Sequence, residues 1–263
     1  MTPLRVGAVG YLNARPLTWA LDRDPDRWRV RYDLPSVCAD LLRSREVDLG
    51  LTPCVEFLFA PDYRFVPGVG IGSDGPVASV ALYSKVPPRE IRRIALDTSS
   101  RTSVALIRVL CRHHFGIAPA YVDHGPDLRQ MTQACDAAVL IGDPALEADH
   151  AALGLEKYDL GAEWKAMTGL PFVYAAWTGH AGAVSPADIA ALVAARAAGE
   201  AHLREIAAEY APGDPGRQAR AARYLRDNVR YGFGEAERRG LQLFLDYAAG
   251  LGMGPRTRTV EFF

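Results

Sequence analysis

Apolar positions in the first fifty residues fall into short runs separated by stretches with helical spacing. "LRVGAVG" (4–10) predicts a strand, and a helix is predicted to begin near Arg15-Pro16, where proline is tolerated in a first turn. "WRVRYDLP" is a second strand. "PSVCADLLRSREV" follows as a helix with Ser36 as its N-cap, and "VDLGLTP" is a third strand. Such a β-α-β-α-β series implies a parallel sheet with helices on its faces. A second series runs through the middle of the chain. "RIALD", "AYVDHG" and "AAVLIG" read as strands, and "TSSRTSVALIRVLCRHHFG", "DLRQMTQAC" and "DPALEADHAALG" as helices, two of them closed by Gly116 and Gly154.

Two apolar segments, "VASVALYSK" (77–85) and "PFVYAAWTG" (171–179), flank this second series. They are predicted to connect two α/β lobes, one discontinuous (1–82 plus 177–263) and one inserted (83–176). Beyond Thr178 the pattern turns helical. Ser185 is an N-cap with Pro186 behind it, "RQARAARYLRDNVRYGF" and "GEAERRGLQLFLDYAAGLG" are further helices, and the tail "PRTRTVEFF" is predicted to pack back on the body. The Gly-rich "GVGIGSDG" (68–75) does not open a helix. That argues against dinucleotide binding, and the segment reads as a flexible loop.

With 263 residues and 49% hydrophobic content the chain can bury a sizeable core, and a formal net charge of −1 argues against nucleic acid or anionic membrane as partner. No window is long and apolar enough for a membrane helix, and the N-terminus leads directly into a strand pattern without an export signal, so a cytoplasmic location is expected. Cys38, Cys54, Cys111 and Cys135 lack metal or redox spacing and sit among apolar residues, as buried thiols do. No metal site or cofactor is expected.

Ligands of open α/β sheets bind beyond the carboxyl ends of the strands. Four loops there carry polar groups. "GYLNARP" offers Asn13 and Arg15, an amide and a guanidinium suited to a carboxylate. "LDTSSRTS" places four hydroxyl residues at a helix start. One of Ser99, Ser100 and Thr102 must cap the helix, and the others, with Ser103, would join its unpaired N–H groups in holding an anion. "VLIGDPAL" offers Gly142, where backbone can approach closely, and Asp143, either a helix cap or a group for hydroxyl binding or proton transfer. "DLPS" and "GLTP" offer Ser36 and Thr52. Ser79, in the first crossing segment, would face the cleft.

Taken together, "VGYLNARPL", "PSVCADLLRSREVDLGLTPCVEF", "LDTSSRTSVAL", "VLIGDPAL" and "DLGAEWKAMTGLPFVYAAW" resemble the chorismate dehydratases of the futalosine route to menaquinone, in the family's order from residue 5 to about 178. The resemblance implies a two-lobed type II periplasmic-binding-protein-like fold: each lobe a small mixed sheet flanked by helices, two crossover hinge strands and a helical C-terminal region. It implies chorismate, a dicarboxylate, as the small-molecule substrate and 3-[(1-carboxyvinyl)oxy]benzoate plus water as products, with no cofactor. It further suggests catalytic roles for Asn13, Ser79 and Asp143, with a substrate carboxylate as the alternative base. Arg15, Ser36, Thr52, Ser100, Thr102, Ser103 and Gly142 would bind substrate, in a monomer or homodimer. Two other readings are a non-catalytic cytoplasmic carboxylate-binding protein and the sister enzyme that makes 1,4-dihydroxy-6-naphthoate, for which His124 is the one candidate loop histidine.

Overall fold

The structure, a computed structural model, describes residues 2–255 and 259–263. Its strands assort into two five-stranded sheets. The first contains β1 (Leu4–Val9), β2 (Trp28–Asp33), β3 (Leu49–Pro53), β4 (Tyr63–Ser73) and β10 (Phe172–His180), in the order β2-β1-β3-β10-β4. The second contains β5 (Val80–Ser84), β6 (Arg93–Asp97), β7 (Ala120–His124), β8 (Ala137–Ile141) and β9 (Glu156–Asp159), in the order β7-β6-β8-β5-β9. We call the bodies around them lobe 1 and lobe 2. In both, three strands run parallel and a fourth, the strand that follows a crossing from the other lobe, lies antiparallel to its neighbour among the three. The two sheets therefore share one topology, although the sequence shows no repeat.

The helices are α1 (Arg15–Thr18), α2 (Pro35–Arg43), α3 (Arg101–Leu110), α4 (Leu128–Ala134), α5 (Gly142–Glu147), α6 (Leu160–Thr168), α7 (Pro186–Ala201), α8 (Leu203–Tyr210), α9 (Pro215–Asp227) and α10 (Glu235–Gly250). Several start or stop where side-chain chemistry dictates. Ser100 caps α3, accepting the Ser103 N–H, and Asp159 caps α6, accepting from Gly161 and Ala162. Ser185 and Asp188 form a reciprocal capping box on α7, with Pro186 at the first helical position. Gly116, in the left-handed region, closes the stretch that begins with α3 and ends in a π-helical turn at Cys111–Phe115.

Several sequence expectations need correction. Segment 68–73 is not a flexible loop but the end of β4, paired with β10. Its glycines serve close approach: a Cβ on Gly72 would lie 2.6 Å from the carbonyl oxygen of Phe172. Ser36 is not an N-cap; Leu34 holds that position and Pro35 opens α2, because proline fits the first turn. The helix at Arg15 lasts only four residues, and the one after Ser185 breaks at His202 into α7 and α8. The apolar segments 77–85 and 171–179 are mostly ladder strands, so the crossings themselves are the shorter stretches 74–79 and 169–171, and lobe divisions at 82/83 and 176/177 would cut through β5 and β10. The first crossing is held by Asp159, whose carboxylate accepts the Val77 and Ala78 N–H groups at 3.0 and 2.6 Å. Of the tail, residues 256–258 lie outside the described residues; Val260 is buried and Phe262 bridges to Phe65 of β4.

Candidate active site

The carboxyl ends of β1 and β3 face those of β6 and β8 across the gap between the lobes. Asn13 from lobe 1, on the 3₁₀ turn Leu12–Ala14, and Ser100 and Ser103 from lobe 2, at the start of α3, line one cavity. Gly142 at the start of α5 completes its polar rim, and Tyr11, Tyr174, Ile71 and Val80 are among its apolar walls. The Asn13 side-chain oxygen is buried and has no hydrogen-bond partner among the described residues. A buried amide without a partner is costly unless a ligand or water completes it. Opposite, Ser100 and Ser103 exchange a hydrogen bond at 3.1 Å beside the first N–H groups of a ten-residue helix, a setting that favours an anion.

Gly142 has φ +66°, and a Cβ there would lie 2.8 Å from the Tyr11 ring. Only glycine permits both the backbone conformation and the aromatic contact. Burial pushes the Tyr11 hydroxyl pKa up, with Asp97 and Asp143 near enough to add to the shift.

The other expected site residues lie off the cavity wall, and two of them, Asp143 and Thr102, tie the lobes together. The Asp143 carboxylate accepts the Leu12 N–H at 2.9 Å, reaching from lobe 2 to the loop that carries Asn13. It is not the cap of α5, whose N-cap is Ile141. Burial raises its pKa; the Leu12 hydrogen bond and, more weakly, the Arg15 charge oppose the rise. The Thr102 hydroxyl, fully buried, accepts the Val55 N–H at 3.2 Å. Ser79 is buried beside the cavity; its hydroxyl accepts from Tyr224 at 2.7 Å and its carbonyl accepts the Gly142 N–H at 2.8 Å. Thr52 is turned into lobe 1, donating to Thr178 at 2.9 Å. Ser36 donates its N–H to the Ser99 carbonyl and lines a separate outer groove. Arg15 sits over the Tyr210 ring, outside the cavity. His124 bonds the neighbouring Gly125 carbonyl and does not line the cavity.

With the lobes in this position the cavity has about 40 Å³ of room for water-sized spheres, enough for a few waters at ~10–15 Å³ each. A six-membered ring with two carboxylates cannot enter it, so admission of such a ligand requires the lobes to part. Among the described residues no cluster of His, Cys, Asp and Glu could hold a metal ion, and no helix is long and apolar enough to cross a membrane. All four cysteines are free and buried.

A family model described as menaquinone biosynthesis matches residues 4–250. The chorismate dehydratase of Thermus thermophilus is 33% identical over 272 residues, covering 97% of this chain and 98% of that protein. Among solved structures, a protein from Archaeoglobus fulgidus superposes with TM-score 0.74 at 16% identity, covering 96% of this chain and 98% of that one. The periplasmic aliphatic sulphonate binding protein of Escherichia coli superposes with TM-score 0.68 at 21% identity, covering 99% and 90%. The second of these likenesses establishes the periplasmic-binding-protein-like fold.

Proposed function

This chain belongs to the menaquinone biosynthesis family, and we propose that it is a chorismate dehydratase, a cytoplasmic hydro-lyase of the futalosine route. The observation that carries the reading is the meeting in one cavity of an unpartnered amide from lobe 1 and a hydroxyl-lined helix start from lobe 2. Chorismate carries two carboxylates and a ring hydroxyl, and this cavity offers one anion seat at α3 and one amide opposite.

In the reaction the ring carbon bearing the ether loses a proton, the neighbouring carbon loses its hydroxyl, and the electrons of the C–H bond become part of an aromatic ring. Water and 3-[(1-carboxyvinyl)oxy]benzoate result. Aromatisation supplies the driving force, so the protein's work is orientation and assistance to one proton transfer. In this reading Ser100, Ser103 and the α3 N–H groups hold a carboxylate. Asn13 orients the ring end. Ser79, whose oxygen accepts from Tyr224 and whose proton remains available, assists departure of the hydroxyl. Asp143, engaged with Leu12, holds the Asn13 loop, and a substrate carboxylate takes the ring proton. Thr102 contributes through Val55, and Arg15 meets the substrate at the mouth.

Asn13→Ala and Ser103→Ala are each expected to lower kcat/KM for chorismate about ten- to a hundredfold, the equivalent of ~1.5–3 kcal/mol for a hydrogen bond to a charged group. Wild-type kcat/KM in both variants would contradict the assignment. The sister naphthoate-forming activity is disfavoured by the position of His124, away from the cavity.

A further inference from the structure

The cleft is closed along two flanks that differ in kind. On the α3 flank one apolar cluster runs unbroken from lobe 2 into lobe 1, joining Leu106 and Val109 of α3 to Phe57 and Leu58 after β3 and to Phe244 of α10. Trp164 of α6 meets Phe172 of β10 and Phe244 with ring centroids 5.2 and 6.2 Å apart, and donates its indole N–H to the Pro171 carbonyl in the second crossing. Glu56, 2% exposed, pairs with Arg43 of its own lobe at 2.6 Å and with Arg101 of lobe 2 at 2.9 Å; Arg101 also reaches Asp40 at 2.9 Å.

The α5 flank is more polar, and its outer part is exposed. Asp143 holds Leu12, and Glu147 takes hydrogen bonds from Tyr210 and Arg217. The Glu147 and Arg217 side chains are 50% and 41% exposed, beside a groove of about 580 Å³. The apolar cluster of lobe 1 on this side takes in a single side chain from α5, half-buried Leu146. Separating this flank would cost a few water-replaceable hydrogen bonds and the contact of the Tyr11 ring with Gly142, whereas separating the other would expose a much larger apolar core and strip a buried carboxylate of a partner.

We propose that the cleft opens along the α5 flank, with the α3–α10 flank as its spine, so that substrate enters past Tyr210, Arg217 and Arg15.

The two lobe-to-lobe clasps provide a test without mutation, because each consists of a lobe 1 amide donating to a lobe 2 side chain. In native-state hydrogen exchange of the empty protein, the Leu12 amide is expected to exchange at least ~10-fold faster than the Val55 amide. Equal rates, or a faster Val55, would overturn the proposal. Spin-label pairs at exposed positions outside the site give a second readout: Asp149→Cys with Arg220→Cys across the α5 flank, and Arg112→Cys with Asp246→Cys across the spine. The first pair is expected to show a broad distance distribution in the empty protein and the second a narrow one; equal widths or the reverse order would overturn it. Adding chorismate should narrow the first distribution. Failure of that narrowing alone, with the order of widths kept, counts against chorismate as ligand and leaves the spine standing.

Discussion

After its first strand, the lobe 1 sheet sends out Tyr11, Leu12 and Asn13. At the same place in the same strand order, the lobe 2 sheet sends out Thr98, Ser99 and Ser100. The first loop ends in a short 3₁₀ turn that aims one amide inward; the second opens a ten-residue helix whose backbone can hold negative charge. The loops after the third strands are equally matched in place and opposed in chemistry. After β3 comes Glu56, buried and shared by two arginines; after β8 come Asp143, taking a single amide from the other lobe, and Glu147, half exposed. A repeated topology thus carries a helix start in one lobe and a buried amide in the other, and one largely apolar flank beside one largely polar flank.

The sharpest way to break this comparison is to remove the equivalent acidic groups. Glu56→Ala removes the buried partner of Arg43 and Arg101, whose own side chains are 54% and 35% exposed and can turn to water, and is expected to cost about 3 kcal/mol, read as a fall in Tm. Glu147→Ala should leave Tm unchanged within error, because exposed ion pairs contribute little. Similar losses from both would erase the distinction between the flanks.

Smaller in effect is Gly142→Ala, which forces a Cβ against the Tyr11 ring in a left-handed backbone and should cost ~1–3 kcal/mol. In a Tyr11→Ala background the clash disappears, and the cost should fall to the backbone strain of ~1–2 kcal/mol. Identical costs in the two backgrounds would mean that the ring does not seat on Gly142.

The smallest effect concerns pH. Burial raises the Asp143 pKa, so its contribution to stability is present below the ordinary carboxyl pKa of about 4 and is lost as pH rises through the raised value. Asp143→Asn keeps an acceptor for Leu12 but does not titrate. The Tm of this variant relative to its parent should therefore climb as pH rises from the ordinary carboxyl pKa of about 4 through the raised value. A constant difference would show that Asp143 is not desolvated in the closed cleft.

Much of this architecture is legible in the chain. Alternating strand and helix patterns indicate the two α/β series, Ser185-Pro186 and Gly116 mark real boundaries, and Asn13, Ser100, Ser103 and Gly142 do meet in one cavity. Less legible is anything decided between distant segments. β5 and β10 are buried along nearly their whole length, and an all-apolar strand carries no mark of the sheet it joins, which is why the crossings were expected too long. Gly70 and Gly72 suggest a loop until the close β10 backbone is known. Thr52, Thr102 and Asp143 have the right chemistry for a ligand, yet each is engaged by a partner at least 47 residues away in sequence. Tyr11, a cavity wall, stood within the "YLN" motif but an aromatic ring there gives no sign of the glycine it will meet.

The most direct test of a dicarboxylate gripped between two matched loops is to mix the protein with excess chorismate and follow the ultraviolet spectrum. The account predicts many turnovers per chain, with the cyclohexadiene absorbance replaced by that of 3-[(1-carboxyvinyl)oxy]benzoate. An unchanged spectrum, or a change that stops at one equivalent of protein, would contradict it.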